Sequence, residues 1–119
     1  MTIQRLQVGP RLSGAVVHNG LVYISGQVPD DEKKDIAGQT QEVLAKIDKL
    51  LAKVGSDKTK ILSAQIFLPD MKDFAAMNAV WDKWVAPGQP PARATVQAKL
   101  AAPEYRVEIQ VVAAAPVAA

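Results

Sequence analysis

The pattern of hydrophobic and polar positions along the chain predicts six strands and two helices. Residues 2–8 alternate weakly, as a short edge strand does. Two β-branched runs, Ser13–His18 and residues 21–25, flank the dipeptide Asn19-Gly20. This dipeptide predicts a β-hairpin because both of its turn positions take a positive φ. The second of these strands ends at Ser25-Gly26-Gln27, where the glycine allows a backbone or a ligand to approach closely.

Helical spacing of apolar residues predicts a first helix over residues 36–54, with Asp35 as its N-cap and Gly55 as its C-terminal stop. The strand that follows, residues 60–68, has a more apolar face made of alternate residues: Leu62, Ala64, Ile66 and Leu68. A second helix is predicted over residues 71–85 behind the cap Asp70. Its apolar side is formed by Met71, Phe74, Met77, Trp81, Trp84 and Val85, and Asn78 lies inside that stripe.

The last two strands, residues 90–97 and 106–109, are predicted to pair as an antiparallel hairpin through a short connection. If the turn is centred near residues 100–101, Arg93 lies opposite or nearly opposite Glu108. Alternation then places Arg93, Thr95 and Glu108 on one face of the sheet. A slip of one residue in the register would move Glu108 to the other face.

The resulting order, β-ββ-α-β-α-ββ, predicts an α+β fold in a single domain over residues 1–119. Both helices are expected on one face of a mixed sheet, and residues 113–119 are expected to form a flexible tail. The other face of the sheet then has no element of the same chain to bury it. We expect partner subunits in a closed ring to cover it.

Composition narrows the possible functions. The 119 residues contain no cysteine, which excludes a disulfide framework, thiolate catalysis and a Cys-ligated metal, and the single His18 excludes a His-rich metal site within one chain. The net charge is +2 with lysines scattered among acids, which disfavours nucleic acid as a partner. No apolar run reaches the ~20 residues that span a membrane. Since the N-terminus also lacks a signal-peptide core, a cytoplasmic protein is expected.

The pair Arg93 and Glu108 has two interpretations. The first is a surface salt bridge, worth about 0–1 kcal/mol and without function. The second is a binding site, in which the arginine fork holds a carboxylate bidentately and Glu108 serves as a general base or holds a water. Among the other candidates, His18 is expected to be solvated, Trp81 and Trp84 to lie in the core or an interface, and Arg106 to be a surface charge.

The segment Pro91-Ala92-Arg93-Ala94-Thr95-Val96, followed by Leu100 and by Val107-Glu108-Ile109, resembles the C-terminal signature of the Rid family, the reactive intermediate deaminases, also called the YjgF family. Ser25-Gly26-Gln27, Gln39-Thr40 and Met77-Asn78-Ala79 are similar as well, and the resemblance covers residues 9–112. It implies a chorismate-mutase-like α+β fold, assembled as a homotrimer whose sheets line a central barrel and whose ligand clefts lie between neighbouring subunits.

The same resemblance implies the roles of individual residues. Arg93 binds the carboxylate of a 2-imino or enamine acid, and Glu108 positions the water that attacks the imine carbon. The products are a 2-oxo acid and ammonia, and neither a metal nor an organic cofactor is needed. The other positions that match those near the ligand are Ser25, Gly26, Asn78 and Thr95.

Two residues depart from the pattern of the best-studied members of the family. Arg11 stands where they have a tyrosine, which alters the lid of the cleft and with it the size or charge of the substrate. Thr95 stands where they commonly have a cysteine, which keeps a small polar group but removes thiol chemistry.

The sequence is therefore compatible with three functions. The first is deamination of imines and enamines. The second is a non-catalytic trimer that binds small carboxylates, such as a metabolite sensor; it needs Arg93 but tolerates the loss of Glu108. The third is an RNA-cleaving translation inhibitor, an activity of some relatives. The sequence disfavours it because there is no basic groove, no stacking aromatic residue is expected near the arginine, and no His or Cys is available as general acid.

Overall fold

A mixed sheet with two helices packed on one face forms the fold, and the computed structural model describes residues 2–116. The elements are β1 (Gln4–Val8), β2 (Ser13–His18), β3 (Leu21–Gln27), α1 (Ile36–Lys53), β4 (Ile61–Leu68), α2 (Phe74–Trp84), β5 (Ala92–Gln97) and β6 (Glu108–Ala114). The strand order is β1-β2-β3-β6-β4-β5, in which only β4 and β5 run parallel within the described chain. The predicted fold class and order of elements are confirmed.

The local turn and cap predictions are also confirmed. Asn19 and Gly20 have φ values of 56° and 80°, and they join β2 to β3 in the predicted hairpin. The Asp35 side chain accepts a hydrogen bond from the Gly38 amide at 2.8 Å, and Gly55 takes a φ of 72° just past α1. Each of these positions follows from backbone requirements that a few neighbouring residues set.

The core lies between the helices and one side of the sheet, which we call the helix face. It includes Ile24, Ala64, Ile66, Ile109 and Val111, which are cross-strand partners or alternate along their strands. The residues between them point to the other side, the open face, which displays Tyr23, Gln65, Phe67, Gln110 and Val112. The open face carries no helix from this chain in residues 2–116.

The predicted apolar face of β4 is wrong at one position. Leu62 is 51% exposed, whereas Ile61 is buried against the helix face. The pairing of β4 with β6 shifts between Ile61 and Ser63, as at a β-bulge. Because a bulge inserts one residue into the alternation, Leu62 loses its place on the buried side.

The second helix begins later than predicted. Met71–Asp73 forms a 3₁₀ turn, capped by Asp70, whose side chain accepts from the Lys72 amide at 2.9 Å. The α-helix starts at Phe74, and Met71 and Phe74 are 37% and 38% exposed instead of lying in the core. The Asp73 carboxylate makes no capping bond because it binds another partner, described below.

The predicted hairpin of the last two strands is wrong. β5 pairs in parallel with β4, and β6 pairs with β3 and β4, so that β4 separates β5 from β6. The reason is that β4, α2 and β5 form a strand–helix–strand unit, which places its two strands side by side in the same direction. The ten-residue connection between Gln97 and Glu108 is long enough to carry the chain past β4.

The predicted tail starts too early. Ala113 and Ala114 belong to β6, Ala113 is fully buried, and the Ala115 amide donates to the Gly20 carbonyl at 2.9 Å. Alanine side chains fit where β6 runs between two neighbouring strands, so small residues extend the strand here. Residues 117–119 of the predicted tail lie outside the described residues. No helix of the described chain is both long and apolar enough to cross a bilayer.

Candidate functional site

The Arg93 side chain leaves β5 on the helix face and packs on aromatic rings of α2. Its register partner is the buried Ala64. The guanidinium carbon lies 5.2 Å from the centroid of the Trp81 ring and 6.0 Å from that of Phe74. Such cation–π contacts orient the planar group without using its N–H donors. Among residues 2–116 the guanidinium forms no ion pair, so those donors remain available. The expectation that no aromatic residue lies near the arginine is therefore wrong.

Two buried polar atoms beside this arginine lack a hydrogen-bond partner within the described part of the chain. They are the Thr95 hydroxyl oxygen and the Asn78 side-chain oxygen Oδ1. Thr95 lies two residues from Arg93 on the same face of β5, and Asn78 lies on α2 one turn from both Phe74 and Trp81. A buried polar group without a partner costs about 1–3 kcal/mol. Most such groups in folded proteins are satisfied, so an external partner is the natural explanation.

Glu108 is the first residue of β6 and points to the open face. Its register partner on β4 is Phe67. Burial raises the pKa of the Glu108 carboxyl above its usual 4.5. The carboxylate forms no ion pair with any side chain of residues 2–116. The surface salt bridge considered from the sequence is thus absent between Arg93 and Glu108.

Gly26 makes the space that the Glu108 carboxyl occupies. A Cβ atom at position 26 would lie 2.8 Å from the Glu108 carboxyl carbon Cδ and 3.1 Å from Cγ. Pairing of β3 with β6 is irregular between Ile24 and Gln27, which brings this backbone close to the side chain. The adjacent Ser25 hydroxyl donates to the Gly14 carbonyl at 3.2 Å. Ser25, Gly26 and Glu108 therefore form one cluster, which we call the glutamate half-site.

Arg11 lies in the loop between β1 and β2, at the end of the sheet where β3 reaches Gly26. The register that pairs Ala15 with Ile24 places residues 11–13 beside that end of β3. Arg11 is exposed and makes no ion pair with residues 2–116. The structure thus places Arg11 toward the glutamate half-site and away from Arg93.

Arg93, Thr95 and Asn78, with the rings of Phe74 and Trp81, form a second cluster, the arginine half-site. The two half-sites are on opposite faces of one sheet. Glu108 is level with Val96, so it lies about 10 Å along the strands from Arg93 and two strand spacings, again about 10 Å, across the sheet. A small acid cannot touch both groups of the same chain. The predicted common face of Arg93 and Glu108 is therefore wrong.

Sequence reasoning missed a polar network that supports this region. Arg106, which was expected to be a surface charge, forms a bidentate ion pair with the buried Asp73, with Nη2 to Oδ1 at 2.7 Å and Nε to Oδ2 at 3.2 Å. The buried Gln39 side chain accepts from the Arg106 amide at 2.8 Å and donates to the carbonyls of Lys34 and Glu104. This network ties the start of α2, which leads to Asn78, to the segment that leads into Glu108. A buried glutamine at the start of an amphipathic helix was the available signal.

Within residues 2–116 no group of three or more His, Cys, Asp or Glu side chains is arranged to hold a metal ion. The two half-sites together contain a guanidinium, a carboxylate, two hydroxyls and an amide.

Comparison with known proteins places these residues in a family context. The family model described as endoribonuclease L-PSP matches residues 2–115. A RutC family protein of Haemophilus influenzae is 55% identical over 114 residues, covering 95% of this chain and 98% of the relative. The RutC family protein YoaB of Escherichia coli is 51% identical over 114 residues, with 96% and 99% covered. The crystal structure of NMB1025 from Neisseria meningitidis, a member of the YjgF protein family, superposes with a TM-score of 0.95 at 52% identity and covers 99% of this chain and 98% of that one.

Proposed function

We propose an activity for this chain, which belongs to the Rid family, also named YjgF, RutC or L-PSP. In the proposal it hydrolyses reactive 2-imino and enamine acids to 2-oxo acids and ammonia. The observation that carries the proposal is the arginine half-site. Arg93 has free donors there, and two buried polar atoms beside it lack partners among residues 2–116. We also propose that the protein acts in the cytoplasm, where oxidation and dehydration of amino acids release such intermediates.

A 2-imino acid fits the polar groups of the arginine half-site. Its carboxylate accepts two parallel hydrogen bonds from the Arg93 fork, and the Thr95 hydroxyl can donate a further one. Its protonated nitrogen can donate to the Asn78 oxygen Oδ1, which can only accept. The ligand thereby supplies partners to both buried atoms that lack one within residues 2–116. The exposed edge of Phe74 offers an apolar surface to the substrate's side chain.

Hydrolysis needs a positioned water as well as a bound substrate. In the proposal Glu108 accepts a hydrogen bond from that water and takes its proton as the oxygen adds to the imine carbon. Glu108 then returns this proton to the amino nitrogen of the carbinolamine. The C–N bond breaks to release ammonia, and the hydroxyl proton passes to solvent as the C=O bond of the 2-oxo acid forms. Burial raises the pKa of Glu108, which makes its carboxylate a better base than an exposed one. Holding the two reactants together supplies most of the acceleration that such a reactive bond requires.

Because the half-sites lie on opposite faces, the proposed catalytic cleft is shared by two chains. One subunit contributes Arg93, Thr95 and Asn78, and its neighbour contributes Glu108, Gly26 and Ser25. We propose a homotrimer in which the open faces of the sheets line a central barrel. Tyr23 and Val96, which are 44% and 47% exposed on that face, would be covered by such an assembly.

A second candidate is a trimer that binds small carboxylates without catalysis. The separation of Glu108 from Arg93 within one chain favours it, because the arginine half-site alone can hold an acid. RNA cleavage is a third candidate. The aromatic rings beside Arg93 provide stacking surfaces, but the described residues near them include no general acid.

The deaminase is tested in a reaction that releases an imino acid. An amino-acid oxidase acting on alanine, with the oxo acid followed by NADH-dependent reduction, reports hydrolysis of the imine. We expect the wild-type protein to accelerate oxo-acid formation and Arg93→Ala to abolish the acceleration. Arg5→Ala, which removes an exposed arginine on β1, is the matched control and should retain full activity. Equal rates for wild type and Arg93→Ala over several imino acids would refute the proposal.

The binding-only alternative is separated by Glu108→Gln. A deaminase loses turnover in this variant while its affinity for 2-oxobutanoate, measured by calorimetry, is kept. A protein that only binds shows no turnover in either form. Cleavage of a structured RNA by wild type, lost in Arg93→Ala, would instead support the ribonuclease.

The shared cleft is tested by mixing subunits. Arg93→Ala and Glu108→Gln proteins are each expected to be inactive. When they are unfolded together and refolded as mixed trimers, some clefts pair an intact Arg93 of one chain with an intact Glu108 of the next. Activity should therefore return in the mixture. If the mixture stays inactive although mass spectrometry shows mixed trimers, the cleft does not combine these two residues from different chains.

A further inference from the structure

A groove that no part of the proposed chemistry uses opens between α1 and α2. Its volume is about 560 Å³, within the range of sites that bind small molecules. Leu44 and Val80 form its floor, and alanines on both helices form its walls. None of the groove residues belongs to either half-site, so the groove is a separate feature of the fold.

The alanine walls follow from helical spacing. Ala37 and Ala45 of α1 and Ala76 and Ala79 of α2 recur along the sides that face the groove. Larger side chains at these positions would fill the space between the helices. Small residues leave an apolar channel along α1 from Ala37 to Ala45, which is just over two helical turns, or roughly 12 Å.

The charged groups lie at one end of this channel. Lys58, in the 3₁₀ turn Lys58–Lys60, and Lys83, in the last turn of α2, border the groove there together with Asp48 and Trp84. The Asp48 carboxylate accepts a hydrogen bond from the Trp84 indole nitrogen at 2.9 Å. The Lys58 Nζ atom lies 5.5 Å from the centre of the Trp84 ring. Neither lysine forms an ion pair with another of residues 2–116, so this end carries a net positive charge.

We infer that the groove binds a small amphipathic carboxylate. Its head group meets Lys58 and Lys83, and its hydrocarbon body lies along Leu44, Val80 and the alanine walls. The position of the charge decides between occupants. An acidic amphipathic helix from a partner protein presents carboxylates along its whole length and needs cations at both ends, whereas this groove is cationic at one end only. The inference is independent of the proposed deamination.

Octanoate is the probe, titrated against the intact protein by calorimetry and by the chemical shift of the Trp84 indole N–H. We expect saturable binding of octanoate and at least tenfold weaker binding of butanoate, which has the same head group and a short body. The double variant Lys58→Gln/Lys83→Gln should weaken octanoate binding at least tenfold. Lys33→Gln, an exposed lysine outside the groove, is the matched control and should bind like wild type.

A variant that fills the channel and a variant of the other site complete the test. Ala79→Phe adds a ring at an exposed helix position and should abolish octanoate binding without lowering the melting temperature by more than a few degrees. Arg93→Ala should leave octanoate binding unchanged. If Arg93→Ala abolishes binding, or if the lysine double variant keeps it, the inference is overturned. The lysine variant decides the question even if Ala79→Phe fails to fold.

Discussion

Gly26 controls where the Glu108 carboxylate sits, and replacing it with alanine tests the role of that carboxylate without changing its chemistry. The added Cβ would lie 2.8 Å from the Glu108 Cδ. Ordinary contacts between carbon atoms begin near 3.5 Å, so the carboxyl group has to move by about 0.7 Å or more. The atoms in conflict are the far end of a flexible side chain, which can rotate away. The backbone at Gly26 does not take a positive φ, so alanine introduces no backbone strain.

The size of the effect follows from this displacement. A misplacement of about 1 Å in a reacting group can lower a rate about 100-fold. We therefore expect kcat/KM for imine hydrolysis to fall about 10- to 100-fold in Gly26→Ala, which corresponds to about 1.4–2.7 kcal/mol of lost transition-state stabilisation. The free energy of unfolding should change by less than about 1 kcal/mol, because the glycine-to-alanine entropy gain offsets the cost of rotating Glu108.

The measurement is the oxidase-coupled assay together with urea denaturation of each variant. Gly9→Ala is the matched control, since a Cβ there meets only the Leu12 carbonyl oxygen at 3.5 Å. It should keep wild-type kcat/KM. If Gly26→Ala is folded and as active as wild type while Arg93→Ala is inactive, the position of the Glu108 carboxylate does not matter and its proposed role is wrong.

Three further predictions concern the same region. Thr95→Val removes a buried hydroxyl without a partner in residues 2–116, so it should raise the free energy of unfolding by about 1 kcal/mol. The same variant should bind 2-oxobutanoate more weakly in calorimetry. A lower free energy of unfolding would contradict this reasoning. Asp73→Asn breaks the pair with Arg106, which is partly exposed, and should cost about 1–3 kcal/mol in urea denaturation, against less than about 0.5 for the exposed control Asp82→Asn. Burial raises the pKa of Glu108, so the ionised carboxylate is less favourable in the folded chain than in the unfolded chain. Glu108→Gln should therefore have a higher free energy of unfolding than wild type at pH 7, and this difference should disappear below pH 4.5, where the carboxyl is protonated in both states. A stability difference that does not depend on pH would show that burial does not perturb this carboxyl.

The features that were predicted correctly depend on short segments. The Asn19-Gly20 turn, the Asp35 cap and the stop at Gly55 are each specified by backbone conformations that few residues adopt. The helices follow from a spacing of apolar residues that is repeated over several turns. The candidate residues Arg93 and Glu108 lie in a recognisable segment of the sequence, and their roles are part of the proposed function.

The errors share one physical cause, which is that strand pairing is decided at long range. The residues near 92–109 do not indicate that β4 lies between β5 and β6, because β4 is about 30 residues earlier in the chain. The shift at Ile61–Ser63 and the pair of Arg106 with Asp73 likewise depend on partners distant in sequence. The sequence around Leu62 and Arg106 does not contain these partners, so the predictions for both residues are wrong.

The sequence by itself determined which groups are available to the proposed site: a guanidinium at 93, a hydroxyl at 95, an amide at 78 and a carboxylate at 108. Only the tertiary structure decided how they are divided. Insertion of β4 between β5 and β6 puts Arg93 and Glu108 on opposite faces of the sheet. Side-chain direction in a strand alternates with every residue, so the face is set by register and strand order, and these are properties of the assembled sheet.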